Sequence, residues 1–154
     1  MALHTWLLYL VAVIGLSLTP GPNGLLTLTH GALYGHRHTL WTIVGGVGGF
    51  VLLMALSMFG IGVLLQTSAH ALSILKWVGG AYLIWLGVQI WRAPPLHLTA
   101  SARSTPPSGP ALLRQGLLSA VSNPKVILFF AAFLPQFLDP ARSLWSQFAI
   151  MTLT

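Results

Sequence analysis

The chain has 154 residues, 55% hydrophobic and only 5% charged, with a single acidic residue, Asp139; a soluble domain carries about a quarter of its residues as charges, so lipid is expected to face most of this exterior. The formal charge of +6 does not point to nucleic acid, because Arg37, Lys76, Arg92, Arg103, Arg114, Lys125 and Arg142 stand singly, without clustering or aromatic interleaving. The absence of cysteine excludes disulfides and thiolate metal sites.

In chain order, the first apolar segment covers about 6–28. Met1 to Tyr9 holds no Lys or Arg, so it lacks the positive flank of a cleaved signal peptide and reads as a retained span. HGALYGHRH, residues 30–38, reads as a loop. The second segment, about 40–65, is free of formal charge, and its Gly45 and Gly49 form a small-xxx-small pair that permits close helix contact. A short connector leads to the third segment, about 72–91, where Lys76 is placed to snorkel and Trp91 to sit at an interface. The proline-rich stretch 92–114 reads as a polar linker rather than a folded unit. A fourth segment, about 115–138, precedes the connector at Asp139, Pro140 and Arg142, and 144–154 begins a fifth, incomplete span. The expectation is therefore an all-α, polytopic transmembrane protein, one domain over 1–154. Lys and Arg near the segment ends, four on one side against two on the other, predict an external N-terminus.

Two segments carry interruptions. LTPGPNG, Leu18 to Gly24, sets Pro20 and Pro22 where a helix needs backbone donors, so carbonyls near Gly15 to Leu18 lose their partners. In hydrocarbon such groups must turn toward protein or a wet cavity, and the amides opening the next half-helix can receive an anion. The fourth segment repeats the theme at Asn123-Pro124-Lys125. Breaks in corresponding positions of two halves point to a 3+3 inverted-repeat transporter with a central site, its second half incomplete in this chain. Lys125 is expensive in a span and must face an interior or a partner; Asp139, fourteen positions on, lies roughly 20 Å away along a continuous helix and is a poor candidate. The bland reading is a shallow lysine snorkelling to the inner face.

No enzymatic constellation emerges. A serine triad would depend on Asp139 alone, His36 and His38 flank Arg37 without an acidic or cysteine ligand nearby, and the glycines lack a nucleotide-binding context. No cofactor is expected.

Four features together resemble the LysE/RhtB family of bacterial amino-acid exporters: LTPGPN at 18–23, the glycine-rich Gly45 to Gly49, Lys76 to Gly87 with its paired glycines at 79 and 80, and Gly116 to Phe137 with Asn123-Pro124-Lys125 and Pro135-Gln136-Phe137. The resemblance spans almost the whole chain. It implies an inner-membrane protein of about six helices that exports amino acids or related metabolites using the proton gradient; against that pattern the end of the fifth helix and the sixth are lacking here. The expected partners are an amino-acid substrate and membrane lipid, with assembly into a homo-oligomer left open. The expected substrate-binding residues are Pro20, Gly21, Pro22, Asn23, Asn123, Pro124 and Lys125, supported by Ser17, Thr19 and Gln136. Without an embedded acid, neutral or hydroxylated amino acids are favoured over cationic ones. The alternatives are a small membrane assembly protein whose breaks only kink helices, and a shortened exporter without function.

Overall fold

The computed structural model describes residues 1–67, positions 73, 74, 77, 78, 80–82, 84, 85, 88 and 92, and residues 105–154; side chains of 61–67 are not included. Lys76, Gly79, Trp91 and most of the expected linker, 93–104, lie outside the described residues. All regular structure among the described residues is helical, including the described positions of the third segment.

Helix α1, Leu3–Leu18, ends because Thr19 precedes a proline, which disfavours the helical conformation and pushes Thr19 to extended torsions, φ −83° and ψ 112°. The next helix, α2, Pro22–Thr67, opens on a proline, whose missing N–H costs nothing in the first turn. Thr19 to Gly21 is thus a short extended break between two half-helices.

Inside α2 the chain reverses at Gly35, whose φ of 75° and ψ of 171° belong to a region essentially reserved for glycine. Cross-contacts define a hairpin: Asn23 approaches Gly46, His30 bonds Thr42, and Gly31 approaches Thr39, the partners converging in number on Gly35. The stretch 30–38, expected to be a loop, is therefore helical on both sides of one hinge residue. His36, Arg37 and His38 at its tip are exposed. Substituting Gly35→Ala should cost about 1–3 kcal/mol through backbone strain. Nothing lies near the added Cβ, so a thermal melt of the purified variant reports the torsion alone.

Helix α3, Gly109–Val121, lies parallel to the second limb of α2: Trp41 meets Gly109, Gly45 meets Leu113, and Gly49 meets Leu117 and Ala120. A Cβ on Gly45 would overlap the Leu113 carbonyl, and one on Gly116 would overlap that of Thr42. The two backbones touch, as the small-residue spacing led one to expect. Helix α3 begins at Gly109 and not near 115, because Pro110 suits a helix's first turn.

After the second break come α4, Pro124–Leu128, a π-helical turn at Phe129–Phe133, and a 3₁₀ turn at Leu134–Phe137. Pro135 accounts for the irregularity: it offers no N–H to the preceding turn, and the helix widens ahead of it, with Leu134 N–H reaching Phe129 O. Ser57 of α2 donates to the Phe130 carbonyl in this widened turn at 2.5 Å. The last helix, α5, is Leu144–Leu153. Gln147, fully buried, closes its connector by accepting from Asp139 N–H at 2.8 Å and donating to Asp139 O at 3.0 Å.

Tyr9, Met54, Met58, Val126, Phe129, Phe130, Leu134 and Met151 form the core. Outward, Leu18 and Trp145 are 79% and 70% exposed, an apolar surface suited to lipid rather than water. By length and composition Pro22–Gly60 is apolar enough to cross a membrane, and Gly109–Val121 with Pro124–Phe137, bent by 50°, passes the same criterion together. The hinge at Gly35 divides the first of these into two limbs.

Candidate functional site

The two breaks meet. Lys125 Nζ donates to Leu16 O at 2.8 Å and Thr19 O at 2.6 Å, the carbonyls released where α1 ends. A third released carbonyl, Gly15 O, accepts from the Thr19 hydroxyl at 3.0 Å. Lys125 as a residue is only 7% exposed, and its ammonium turns inward onto these carbonyls. Asp139 instead pairs with Arg142 at 3.1 Å in the α5 connector.

The local sequence explains how the lysine is aimed. Asn123 caps α4, its Oδ1 accepting from Lys125 N–H at 3.1 Å, with Pro124 next to it in the first turn. Gly21 has no side chain, and the space where one would begin lies 3.4 Å from both Lys125 Cε and Asn123 Nδ2. The second break thus closes on the first around Gly21, at a spacing where a methyl group would make ordinary contact.

These groups open on a cavity of about 410 Å³. Ser17, Thr19, Pro20, Gly21, Asn23, Asn123 and Lys125 line it, while Pro22 and Pro124 do not; they shape the half-helix starts from behind. Gln136 also lies off the cavity and donates to Ala132 O at 3.1 Å, within its own turn. The rest of the wall is largely apolar, with Tyr9, Phe50, Met54, Phe129 and Phe130 among its members. Sequence reasoning, which gave 144–154 as a fifth apolar segment, missed the place of Tyr9, Met151 and Thr152 on the cavity wall. Tyr9 donates to Met151 O at 3.2 Å, joining helices from opposite ends of the chain, and no local pattern signals such a contact.

Two polar groups on the cavity wall keep hydrogen-bonding capacity that the described residues do not use. An ammonium has three N–H donors, and two are used by Leu16 O and Thr19 O, leaving one over among the described residues. Asn23 Oδ1 is buried and has no hydrogen-bond partner among the described residues, an uncommon state for a buried oxygen. No carboxylate lines the cavity among the described residues.

An apolar-surfaced, helical chain with a half-open cavity between two interrupted helices has the arrangement that transporters of broken-helix type use. The chain belongs to the LysE type translocator family, which matches residues 14–154. It is 43% identical over its full length to an uncharacterized membrane protein of Vibrio cholerae, covering 75% of that relative. It is 36% identical, again over its full length, to the homoserine/homoserine lactone efflux protein of Salmonella typhimurium, covering 74% of it. A leucine efflux protein of Klebsiella pneumoniae is 30% identical over 97% of this chain and 71% of its own length. No solved structure gives a significant match. Family members are transporters, and the relatives named for a substrate are amino-acid efflux proteins of bacterial membranes.

Proposed function

We propose that this chain exports a neutral amino acid, or a close derivative, from the bacterial cytoplasm by alternating access about the two breaks. The observation that carries the reading is Lys125, whose ammonium bridges from the second interrupted helix to the freed carbonyls of the first inside the cavity. The substrate carboxylate takes the remaining Lys125 donor, helped by the positive end of α2 at Asn23 and Gly24. Its ammonium goes to Asn23 Oδ1. Leu16 O and Thr19 O are engaged by Lys125 and serve to position it.

The same reading makes the protein multi-pass in the inner membrane, with an external N-terminus and the hinge at Gly35 facing the cytoplasm. Arg37 at that hinge agrees with positive charge on the inner side. Substrates named for its relatives, homoserine or its lactone and leucine, are all compatible with a cavity that offers polar groups at the breaks and an apolar wall beyond. Proton-driven export belongs to the proposal as well.

The test is efflux of labelled amino acids from proteoliposomes containing the purified chain, with and without an imposed pH gradient. Active wild-type protein and a roughly tenfold or greater loss on Asn23→Leu, with thermal stability unchanged or raised, is the expected outcome; removing a buried carbonyl oxygen that has no partner among the described residues relieves rather than creates a desolvation cost. Wild-type vesicles that release none of the amino acids faster than empty ones would favour an assembly role instead.

A further inference from the structure

One threonine on the cavity wall is bonded unlike the others. Thr19, Thr27, Thr39, Ser122 and Thr154 each return the hydroxyl hydrogen to the carbonyl one turn back, at 2.6–3.0 Å. This is the habit of hydroxyl side chains in apolar helices, where the backbone is the nearest strong acceptor. Thr152 departs from it. Its hydroxyl leaves α5 and points across to α2, where its partner is the thioether of Met54 at 3.5 Å.

A thioether is a weak acceptor, and a hydroxyl also has two lone pairs of its own. Thr152 and Met54 both line the cavity, in the company of Tyr9, Phe130 and Met151. The neighbouring Thr154 is already satisfied, donating to Ile150 O and accepting from Trp6 Nε1 at 3.1 Å. Tyr9 likewise spends its O–H on Met151 O. Within this part of the wall, Thr152 therefore holds hydrogen-bonding capacity that an oxygen atom on a ligand can use better than sulfur can. The flexible Met54 side chain can move off the hydroxyl and pack on methylenes.

We propose that Thr152 is a specificity-determining residue, which selects substrates with a hydroxyl or carbonyl oxygen on a short side chain by exchanging its bond to Met54 for one to that oxygen. This inference rests on the amino-acid export reading above. Lys125 and Asn23 fix the backbone end of the substrate, common to all amino acids; Thr152 reads the end that differs. A site that bonds a substrate hydroxyl disfavours the analogue lacking it, because the wall's own polar group then stays poorly paired.

L-Homoserine and L-norvaline differ only by a terminal hydroxyl in place of a methyl, so their efflux from proteoliposomes isolates the contact. The wild-type chain should export homoserine in preference. Thr152→Val, which keeps the shape and removes the hydroxyl, should lower the homoserine rate about 5–10-fold while norvaline export holds or rises, and Thr152→Ser should keep most of the preference. A homoserine-to-norvaline ratio that stays the same in Thr152→Val overturns the proposal, whether both rates fall together or neither changes. Failure of the export reading has a different signature: wild-type vesicles that release neither compound. A thermal melt of Thr152→Val confirms that the comparison is between folded proteins.

Discussion

Replacing Lys125 with alanine is expected to reduce amino-acid efflux by two orders of magnitude or more and also to destabilise the protein. The functional loss follows from the proposed role of the ammonium, the one cation lining the cavity among the described residues. The structural loss follows from Leu16 O and Thr19 O, which Lys125 satisfies at 2.8 and 2.6 Å where the helix no longer does. Charge-assisted bonds of this kind contribute more than neutral ones, but removing the buried ammonium also removes its desolvation cost. The net is about 2 kcal/mol, or roughly 4–8 °C in melting temperature for a chain of this size. The two effects separate with Lys125→Arg, which retains a cation for the carbonyls but not the point-like ammonium. It should recover stability more than transport. Full efflux by Lys125→Ala at normal abundance would remove the residue from the mechanism.

The second large effect is expected at Gly116→Ala. The new Cβ would collide with the Thr42 carbonyl and come within 3.0 Å of Gly46 N, and these are backbone atoms that cannot rotate away. Helix α3 must then separate from α2, disturbing the contacts of Gly45 and Gly49 along the same seam. Overpacking costs about 1–3 kcal/mol where side chains can yield; the upper end or beyond is expected here. Because α3 leads directly into the second break, displacing it also displaces Asn123 and Lys125, so export should fall with stability. Gly48→Ala is the matched control. Its nearest neighbour is a Leu117 methyl at 3.9 Å, an ordinary contact, and alanine favours the helix by about 1 kcal/mol. Equal melting temperatures for the two variants would refute the packing argument.

Much of this architecture was legible beforehand because it depends on local chemistry. Proline at 20, 22 and 124 has no N–H wherever it stands, so both interruptions could be read directly, and Gly45 with Gly49 announced a close helix contact. The hinge was harder to see. Residues 30–38 are polar and carry Arg37, which suggested a loop, yet one glycine at φ 75° suffices to reverse the chain and the flanking residues remain helical. The widened turn at Phe129–Phe133 was likewise hidden, since Pro135 shows that a donor is missing but not how the helix will accommodate it.

What the sequence determined alone is where this chain cannot be regular and that its surface belongs in lipid: these follow from the covalent structure of proline, the absent Cβ of glycine and the scarcity of charge. Only the tertiary structure decided which interruptions face each other. Lys125 and Leu16 are more than a hundred positions apart, and their bond exists because α3 lies parallel to α2 along a glycine seam close enough to carry the second break onto the first. That registry, like the meeting of Thr152 with Met54, depends on how helices from distant parts of the chain stack, and no local pattern encodes it.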